Sequence, residues 1–264
     1  MSFRDFLDKM DEQRQVLHVK EQVSTRFEIS HMMEEFDDEG PLLLFEKVKG
    51  CKTNVAANVC GRRERVCAAL RVRPDCLYSR VIDSWRSPRK TKVASDGLVK
   101  QNARKNVDLS RIPFLTHFEK DAGAYVTSGV VHARDPDCKI ENILVHRLQV
   151  LDKTHLAIRL VPRHLFKLWR MAKESSKDLD VAVSVGVHPA VLLAASSPVP
   201  FGVSEFDVAN NLLSGGLRLI ECEHVNALAP ADSELVLECK ISTEKDVEEG
   251  PFVDISGTYD VKRK

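Results

Sequence analysis

The sequence lacks both a long apolar run and an excess of charge of one sign. Lysine plus arginine and aspartate plus glutamate each number 39, so the formal net charge is zero. A partner with a phosphate backbone selects for a basic excess, and the balance here argues against nucleic acid. No apolar stretch approaches the roughly 18 residues that a membrane span needs. The sequence therefore predicts neither a nucleic-acid partner nor a membrane span.

Paired cysteine motifs are also missing. The seven cysteines are odd in number, and no two have C-x-x-C spacing. Cys51, Cys60, Cys67 and Cys76 leave a zinc site open as an alternative, although their gaps are irregular. The preferred interpretation is reduced, mostly buried thiols in a cytosolic protein. The N-terminus, MSFRDFLDKMDEQRQ, is too charged for a secretory signal, which agrees with a cytoplasmic location.

The first 105 residues alternate helix-like and strand-like segments. Ser2 is a candidate cap for a first helix whose apolar residues fall on one face. The remaining segments are strands at Val16–Val19, Leu42–Val48 and Asn54–Val59 and helices at Phe27–Phe36 and Arg62–Leu70. This alternation predicts an N-terminal α/β domain over residues 1–105.

Residues 106–264 form the second predicted domain. Residues 84–106 before it are charged and broken by Pro and Gly, which favours a solvated connector over a phosphate-binding patch. After Pro113 the pattern predicts strands at Tyr125–Ala133, Val181–Val187, Leu217–Glu223 and Glu234–Ile241, and helices at 164–175 and 204–213. We therefore expect an α+β fold.

The segment from Asn142 to His164 is the most informative part of the chain. Two apolar runs, Ile143–Leu151 and Leu156–Val161, flank a turn-like Asp-Lys-Thr and predict a hairpin. Unlike ordinary core strands, these runs carry polar side chains, namely Asn142, His146, Arg147, Gln149 and Arg159. In a regular strand Asn142 points away from the face of Arg147, so either Asn142 precedes the strand or a bulge re-aims it.

A helix is predicted directly after the hairpin, with Pro162 in its first turn. His164 then lies near a helix N-terminus, where free N–H groups and the dipole favour an anion such as phosphate. Glu205 starts a later helix, for which Ser204 and Asp207 form a capping pair. Glu205 either complements the dipole of that helix or, with Asn142 and His164, binds a hard divalent cation.

Four motifs occur in order along the chain: Asn142-x4-Arg147, Arg163-His164, Ser196-Ser-Pro-Val-Pro-x-Gly-Val-Ser-Glu205, and Glu249-Gly-Pro-Phe252. In this combination the chain resembles the UbiD family of decarboxylases, which use prenylated FMN. The resemblance extends from Phe3 to the last residue. It implies that the second domain is a flavin-binding, split β-barrel-like domain with helices, and that the C-terminal domain of the family is absent here.

The resemblance also implies roles for individual residues. The metal ligands are Asn142, His164 and Glu205, which hold Mn2+ or Mg2+ against the flavin phosphate, with K+ as a further candidate ion. The cofactor contacts are Thr127, Val145, His146, Arg147, Arg163, His164, Ser196, Ser197, Pro198 and Glu205. The catalytic set is Arg147, Glu249 and Asp254, where the family commonly has a second Glu in place of Asp254.

A decarboxylase must bind a carboxylate, release CO2 and return a proton to carbon. Arg147 suits the carboxylate, and Glu249 beside Asp254 suits the proton transfer. The cofactor would take up the electron pair left by CO2. From the residues alone, an exposed polar loop is the alternative interpretation of Glu249 and Asp254.

The implied substrate is an α,β-unsaturated acid. The segments VPFGVSEFD and GPFVDISGTYD resemble the archaeal members, which implies trans-anhydromevalonate 5-phosphate on the way to isopentenyl phosphate. The alternatives are an aromatic, hydroxybenzoate-type acid and a truncated, non-catalytic flavin-binding module. A flavin prenyltransferase would supply the cofactor, and the full-length protein would form a homo-oligomer. We expect low activity from the 264-residue form, because both proposed acids lie near its end and the predicted strand Ile255–Val261 has no following partner.

Overall fold

Residues 1–86 alternate helices and strands, in agreement with the sequence pattern. The computed structural model describes residues 1–37, 39–253 and 257–259. The elements of this part are α1 Phe3–Glu12, β1 Val16–Val23, α2 Glu28–Glu35, β2 Leu42–Val48, β3 Val55–Ala57, α3 Arg63–Leu70 and α4 Leu77–Arg86. Strand β2 lies between a parallel β1 and an antiparallel β3. Ser2 caps α1 as predicted, and its hydroxyl accepts the Asp5 N–H at 3.0 Å.

The charged segment after α4 contains a strand. Strand β4 (Lys92–Ala94) pairs in parallel with β9 (Arg218–Glu221), which pairs antiparallel with β10 (Leu228–Pro230). Residues 84–106 are mostly exposed, as expected of a solvated connector, but the sequence pattern missed β4 within them, whose partner strand lies more than 100 residues further along the chain. This pairing joins residues on both sides of the boundary predicted at residue 105.

A five-stranded antiparallel sheet forms the centre of the second half. Its order is β11 (Leu235–Ile241), β8 (Leu179–Val185), β5 (Tyr125–Arg134), β6 (Glu141–Val150) and β7 (Leu156–Ile158). The predicted hairpin is β6 with β7. Strand β7 ends at Ile158, so Arg159 lies just beyond the strand in which it was predicted.

Helices cover both faces of this sheet. One face packs Val131 and Leu148 against α5 (His164–Glu174), and the other packs Val130 and Ile143 against α6 (Pro189–Ala195) and α7 (Glu205–Leu212). The N-cap of α5 is Arg163, so Pro162 precedes this helix and does not lie in its first turn as predicted.

The segment around α4 holds α7 in place. The Arg80 guanidinium donates to the Asn211 side-chain oxygen at 2.6 Å. The Asn210 amide donates to the Lys90 carbonyl at 2.9 Å, and the Thr91 N–H donates to the Asp207 carboxylate at 2.9 Å. These contacts fix the position of α7 and of its first residue, Glu205.

The pairing of β5 with β6 contains a bulge. Val126 pairs with Leu148 and Gly129 pairs with His146, so two residues, Thr127 and Ser128, lie opposite Arg147 alone. Asn142, by contrast, pairs with Ala133 in regular register within β6. A bulge was one explanation for the direction of the Asn142 side chain, but the bulge observed in this sheet lies opposite Arg147.

The cysteines are all free, and Cys67 alone is fully buried. Cys60 and Cys138 are exposed, so the expectation of mostly buried thiols is wrong. Among the described residues, no three His, Cys, Asp or Glu side chains form a group that could hold a metal ion, which argues against a zinc site at Cys51, Cys60, Cys67 and Cys76. Within the same residues, no helix has the length and apolar character to cross a membrane.

Candidate functional site

The N-terminal end of β6 meets the first turn of α7 through a buried amide–carboxylate contact. Asn142 and Glu205 are only 3% and 4% exposed. The Asn142 Nδ2 donates to Glu205 Oε1 at 2.8 Å, and the Ile143 N–H donates to Glu205 Oε2 at 3.0 Å. The Glu205 carboxylate is therefore held between two neutral donors of the strand.

Burial raises the pKa of Glu205 to about 7, although the hydrogen bonds from Ile143 and Asn142 act in the opposite direction. A buried carboxylate without a positive partner is costly, and a bound cation removes that cost. The surroundings of Glu205 thus favour a ligand that carries positive charge.

The Asn142 side chain has a free oxygen at the same place. Its NH2 group must face the carboxylate, because only the NH2 group can donate to Glu205. The remaining Oδ1 is buried and, within the described residues, has no hydrogen-bond partner. Amide and carboxylate oxygens are ligands that Mn2+ and Mg2+ prefer, so this pair fits a hard divalent cation.

His164, the third proposed ligand, is the first residue of α5. Its ring centre lies 5.2 Å from that of Phe201, which precedes Glu205 by four residues. No hydrogen bond joins His164 to Asn142 or Glu205 in the described part of the chain. Burial, with a smaller contribution from Lys167, lowers the pKa of His164, which favours the neutral imidazole that binds metals. The structure therefore brings two of the three predicted ligands into contact.

The other end of β6 carries an ion pair. Arg147 Nη2 donates to Glu249 Oε2 at 2.9 Å, and the Glu249 side chain is only 4% exposed. Glu249 Oε1 is buried and lacks a hydrogen-bond partner among the described residues. Asp254, the second proposed acid, lies outside those residues. The expectation of an exposed loop does not hold for Glu249, which has one oxygen on an arginine and one oxygen open.

The Gln149 side chain helps to fix the turn that carries Glu249. The Gln149 Oε1 accepts the Tyr125 hydroxyl at 3.2 Å and the Gly250 N–H at 3.0 Å. Gly250 has a φ of +92°, a left-handed conformation that favours glycine, directly after Glu249. Burial and the charge of Glu249 raise the pKa of Tyr125, so its hydroxyl stays protonated.

An aromatic wall completes this end. The Phe252 ring lies 4.3 Å from the Tyr125 ring and 5.8 Å from the His117 ring, measured between centres, and the Arg147 guanidinium lies 5.2 Å from its centre. Sequence reasoning missed Tyr125 and His117. Gln149, a polar residue in an apolar strand, was the one signal of this contact.

His146 lies on β6 between the two ends. Its Nε2 is buried and has no hydrogen-bond partner within the described residues, and burial lowers its pKa to about 4. His146 is therefore a neutral ring with an open nitrogen. Val145 packs partly buried against the core beneath α6 and α7, and Thr127 is exposed at the bulge.

The remaining proposed cofactor contacts lie at helix ends. The Ser196 and Ser197 hydroxyls donate back to Leu192 and Leu193 of α6, and Ser197 Oγ also accepts the Trp85 indole N–H at 2.8 Å. Pro198 follows them in exposed backbone, and Arg163 is exposed at the start of α5. The proton of each serine hydroxyl is already used within the protein.

Ser204 does not cap α7 with its side chain, contrary to the prediction. Its hydroxyl donates instead to Glu141 Oε1 on β6, the residue before Asn142. Asp207, its predicted capping partner, binds Lys90 at 2.8 Å and the Thr91 N–H. Both side chains are used in contacts between elements that are distant in sequence.

Comparison with known proteins identifies the family of the chain. Residues 7–85 match the N-terminal domain, and residues 91–264 the Rift-related domain, of the UbiD family of 3-octaprenyl-4-hydroxybenzoate carboxy-lyases. The anhydromevalonate phosphate decarboxylase of Methanothermobacter thermautotrophicus is 36% identical over 98% of this chain. That of Methanosarcina mazei is 35% identical over 100% of it. The chain spans 60% of the length of each of these relatives.

Solved structures show the same fold. The UbiD-class enzyme HmfF from Pelotomaculum thermopropionicum, in an evolved dimeric form in complex with prFMN, superposes with a TM-score of 0.96 at 34% identity. The match covers 99% of this chain and 62% of HmfF. Vanillic acid decarboxylase from Sedimentibacter hydroxybenzoicus, in its closed form, gives a TM-score of 0.93 at 26% identity, over 99% of this chain and 59% of that one.

Proposed function

The chain belongs to the UbiD family of carboxy-lyases, and from this premise we propose that it decarboxylates a small unsaturated acid with prenylated FMN. The observation that supports this most is the Arg147–Glu249 pair, in which Glu249 is buried and its Oε1 has no hydrogen-bond partner among the described residues. An arginine paired with a buried acid can bind a carboxylate and leave the acid next to the carbon that must be protonated.

In this mechanism Arg147 binds and orients the substrate carboxylate. Once the substrate carboxylate binds Arg147, Glu249 loses its counter-charge and takes up one proton from solvent. After CO2 has left, Glu249 delivers that proton to the substrate carbon beside the Phe252 ring. Gln149 holds Glu249 in place through Gly250. When bound, prenylated FMN supplies an electron sink for the bond that breaks. Asp254 stays a predicted second acid.

The cofactor would lie along β5, β6 and the starts of α5 and α7, in a split β-barrel-like domain. Asn142, Glu205 and His164 would hold Mn2+ or Mg2+ close to the flavin phosphate, and Arg163 at the start of α5 would bind the phosphate itself. Thr127, Val145, His146 and residues 196–198 would contact the rest of the flavin. Supply by a flavin prenyltransferase, a role for K+ and a homo-oligomer belong to the same proposal.

Two substrate classes follow from different likenesses. The names of the Methanothermobacter and Methanosarcina relatives favour trans-anhydromevalonate 5-phosphate. The structural likeness to vanillic acid decarboxylase favours an aromatic acid as the second candidate. We prefer the first, because those relatives share about a third of their aligned residues with this chain.

The test is to produce the protein together with a flavin prenyltransferase and to identify the released cofactor by mass spectrometry. The loaded protein is then given trans-anhydromevalonate 5-phosphate or vanillate, and CO2 release is measured. We expect the mass of prenylated FMN and turnover of the phosphate substrate. Loading with cofactor but turnover of vanillate alone would replace the preferred substrate. Failure to retain any flavin would contradict the proposed function itself.

A further inference from the structure

A second polar cluster lies directly beside the contact between Asn142 and Glu205. His132 on β5 is 1% exposed, and its Nε2 lies 3.2 Å from Glu141 Oε2 on β6. The Leu228 N–H donates to the other ring nitrogen, Nδ1, at 2.9 Å. Because Nδ1 accepts a hydrogen bond, it carries no proton, so the ring proton lies on Nε2, which donates a hydrogen bond to Glu141.

The second oxygen of Glu141 faces α7. Ser204 Oγ donates to Glu141 Oε1, and Asn142 Nδ2 donates to Glu205 Oε1. Glu141 and Asn142 are consecutive in the chain, and so are Ser204 and Glu205. Two adjacent side-chain contacts therefore join the start of β6 to the start of α7. A shift of α7 along the strand would break both contacts together.

We infer that Glu141, held by His132 and Ser204, is a positioning residue that sets the geometry of Asn142 and Glu205 for a divalent cation. This inference rests on the metal site of the proposed function. Groups behind the direct ligands of a metal orient those ligands, and losing one typically costs about 10- to 100-fold in metal affinity.

Charge gives Glu141 a second contribution. Glu141 and Glu205 bring two carboxylates into one poorly hydrated region, and their mutual repulsion falls when a cation binds between the strand and the helix. A purely structural role would not need this acid, because apolar residues of similar volume often replace buried polar pairs without loss of stability. The cluster therefore favours cation binding through both geometry and charge.

The experiment is a titration of the metal-free protein with Mn2+ in the presence of FMN, followed through the electron paramagnetic resonance signal of free Mn2+. The variants are Glu141→Gln, which removes the charge, and Ser204→Ala, which removes one contact. Ser204→Thr retains the hydroxyl. The matched control is Ser233→Ala, another buried serine, whose hydroxyl donates to the Pro230 carbonyl at 2.8 Å.

We expect Mn2+ affinity to fall about 10- to 100-fold in Glu141→Gln and in Ser204→Ala, with recovery in Ser204→Thr and no change in Ser233→Ala. Equal affinity in the wild type and both variants would overturn the inference. So would an equal loss in Ser233→Ala, because that would show a general effect of destabilisation. If Ser204→Ala does not fold, Glu141→Gln decides alone.

Absence of Mn2+ binding in the wild type would overturn the inference together with the metal part of the proposed function. Decarboxylation by the loaded wild type separates that failure from failure of the whole proposal. Binding in the wild type with unchanged binding in the variants leaves the proposed function intact and removes only the role of Glu141.

Discussion

The two ends of β6 hold a buried carboxylate in opposite ways. Glu205 receives hydrogen bonds from an amide and a backbone N–H, both neutral, whereas Glu249 is paired with the guanidinium of Arg147. A buried charge with neutral partners attracts a cation, and one with an arginine already has its counter-charge. The surroundings of Glu205 suit metal binding. At the other end, Arg147 can release Glu249 and bind a substrate carboxylate in its place.

The two ends also differ in what supports them. Glu205 belongs to a helix that residues 80–91 fix from one side and Glu141 from the other. Glu249 belongs to a loop, which is held by the Gln149 side chain and by hydrogen bonds between residues 121–122 and residues 251–253. Rigid elements suit a metal site that must keep its ligand distances, and a loop allows an acid to adjust to its substrate. Substitutions at one end of β6 should therefore impair that end without affecting the other.

The largest effect is expected from Arg147→Ala. The change leaves Glu249 buried without its cation, which typically costs about 3–5 kcal/mol, and removes the group that binds the substrate carboxylate. We expect turnover to fall at least ~100-fold, as for loss of an acid–base group. Mn2+ affinity should be retained, and flavin occupancy should be mostly retained, with a partial loss because the resemblance also makes Arg147 a cofactor contact. The measurements are flavin content and CO2 release per bound flavin.

Arg170→Ala is the control for that variant, because Arg170 is exposed on α5 and lies 3.7 Å from Glu174. Loss of flavin from Arg147→Ala, with activity per bound flavin preserved, would mean that Arg147 is a cofactor ligand. The division between the two ends of β6 would then be wrong.

Glu205→Ala should disable the opposite end. We expect Mn2+ affinity to fall by more than the roughly 100-fold that loss of a supporting group can cost, because a direct ligand is removed. The control is Glu238→Ala, since Glu238 also accepts two backbone N–H groups, from Glu223 and His224. Calorimetric titration with Mn2+ measures both. Unchanged Mn2+ binding would show that Glu205 is a structural carboxylate.

Gln149→Leu tests whether the loop end depends on one side chain. The change leaves the Tyr125 hydroxyl and the Gly250 N–H without an acceptor, at about 1–3 kcal/mol for a buried donor. A displacement of Glu249 by ~1 Å can reduce turnover by about 100-fold. We expect normal Mn2+ affinity. A parallel loss of Mn2+ binding would show that the two ends are coupled.

The smallest effect at neutral pH is expected from His146→Gln. Burial lowers the pKa of His146 to about 4, whereas an unfolded histidine titrates near 6.5. Between these values the unfolded chain binds a proton that the folded chain does not. Protonation of the unfolded chain at His146 therefore lowers the free energy of unfolding below pH ~6.5. The loss reaches on the order of 3 kcal/mol as the pH falls toward 4, and above pH ~6.5 there is no loss.

Denaturant unfolding across this pH range measures that slope, and His146→Gln should flatten it. His188 provides the comparison, because burial lowers its pKa to about 4 as well and it lies outside β6, before α6. His188→Gln should flatten the slope to a similar extent. An unchanged slope in His146→Gln would mean that His146 is hydrated in solution.

Local pattern in the sequence was sufficient for most elements. The alternation of apolar residues gave β2, β5 and the β6–β7 hairpin, and Ser2 marked the start of α1. The same pattern missed α4 and α6. It also assigned β4 to a connector, because a three-residue strand has too few residues to show a period and depends on its partner β9.

The order of four short motifs along the chain resembles the UbiD family, and this resemblance identified Asn142, Arg147, Glu205 and Glu249 as site residues. The structure places these four as two contacting pairs, and their chemical roles stay predictions. No local signal joined Ser204 to Glu141 or Gln149 to Gly250, and the pattern at Ser204 indicated a cap instead.

The sequence by itself thus determined where strands and helices form and which polar residues interrupt them, because periodicity and capping depend on residues a few positions apart. The tertiary structure alone decided which side-chain oxygens of the two buried pairs are left without a partner among the described residues, namely Asn142 Oδ1 and Glu249 Oε1. Those partners lie 63 positions apart for Asn142 and Glu205 and 102 for Arg147 and Glu249. Their contact depends on the order of strands in the sheet and on the packing of α7, which local patterns do not encode.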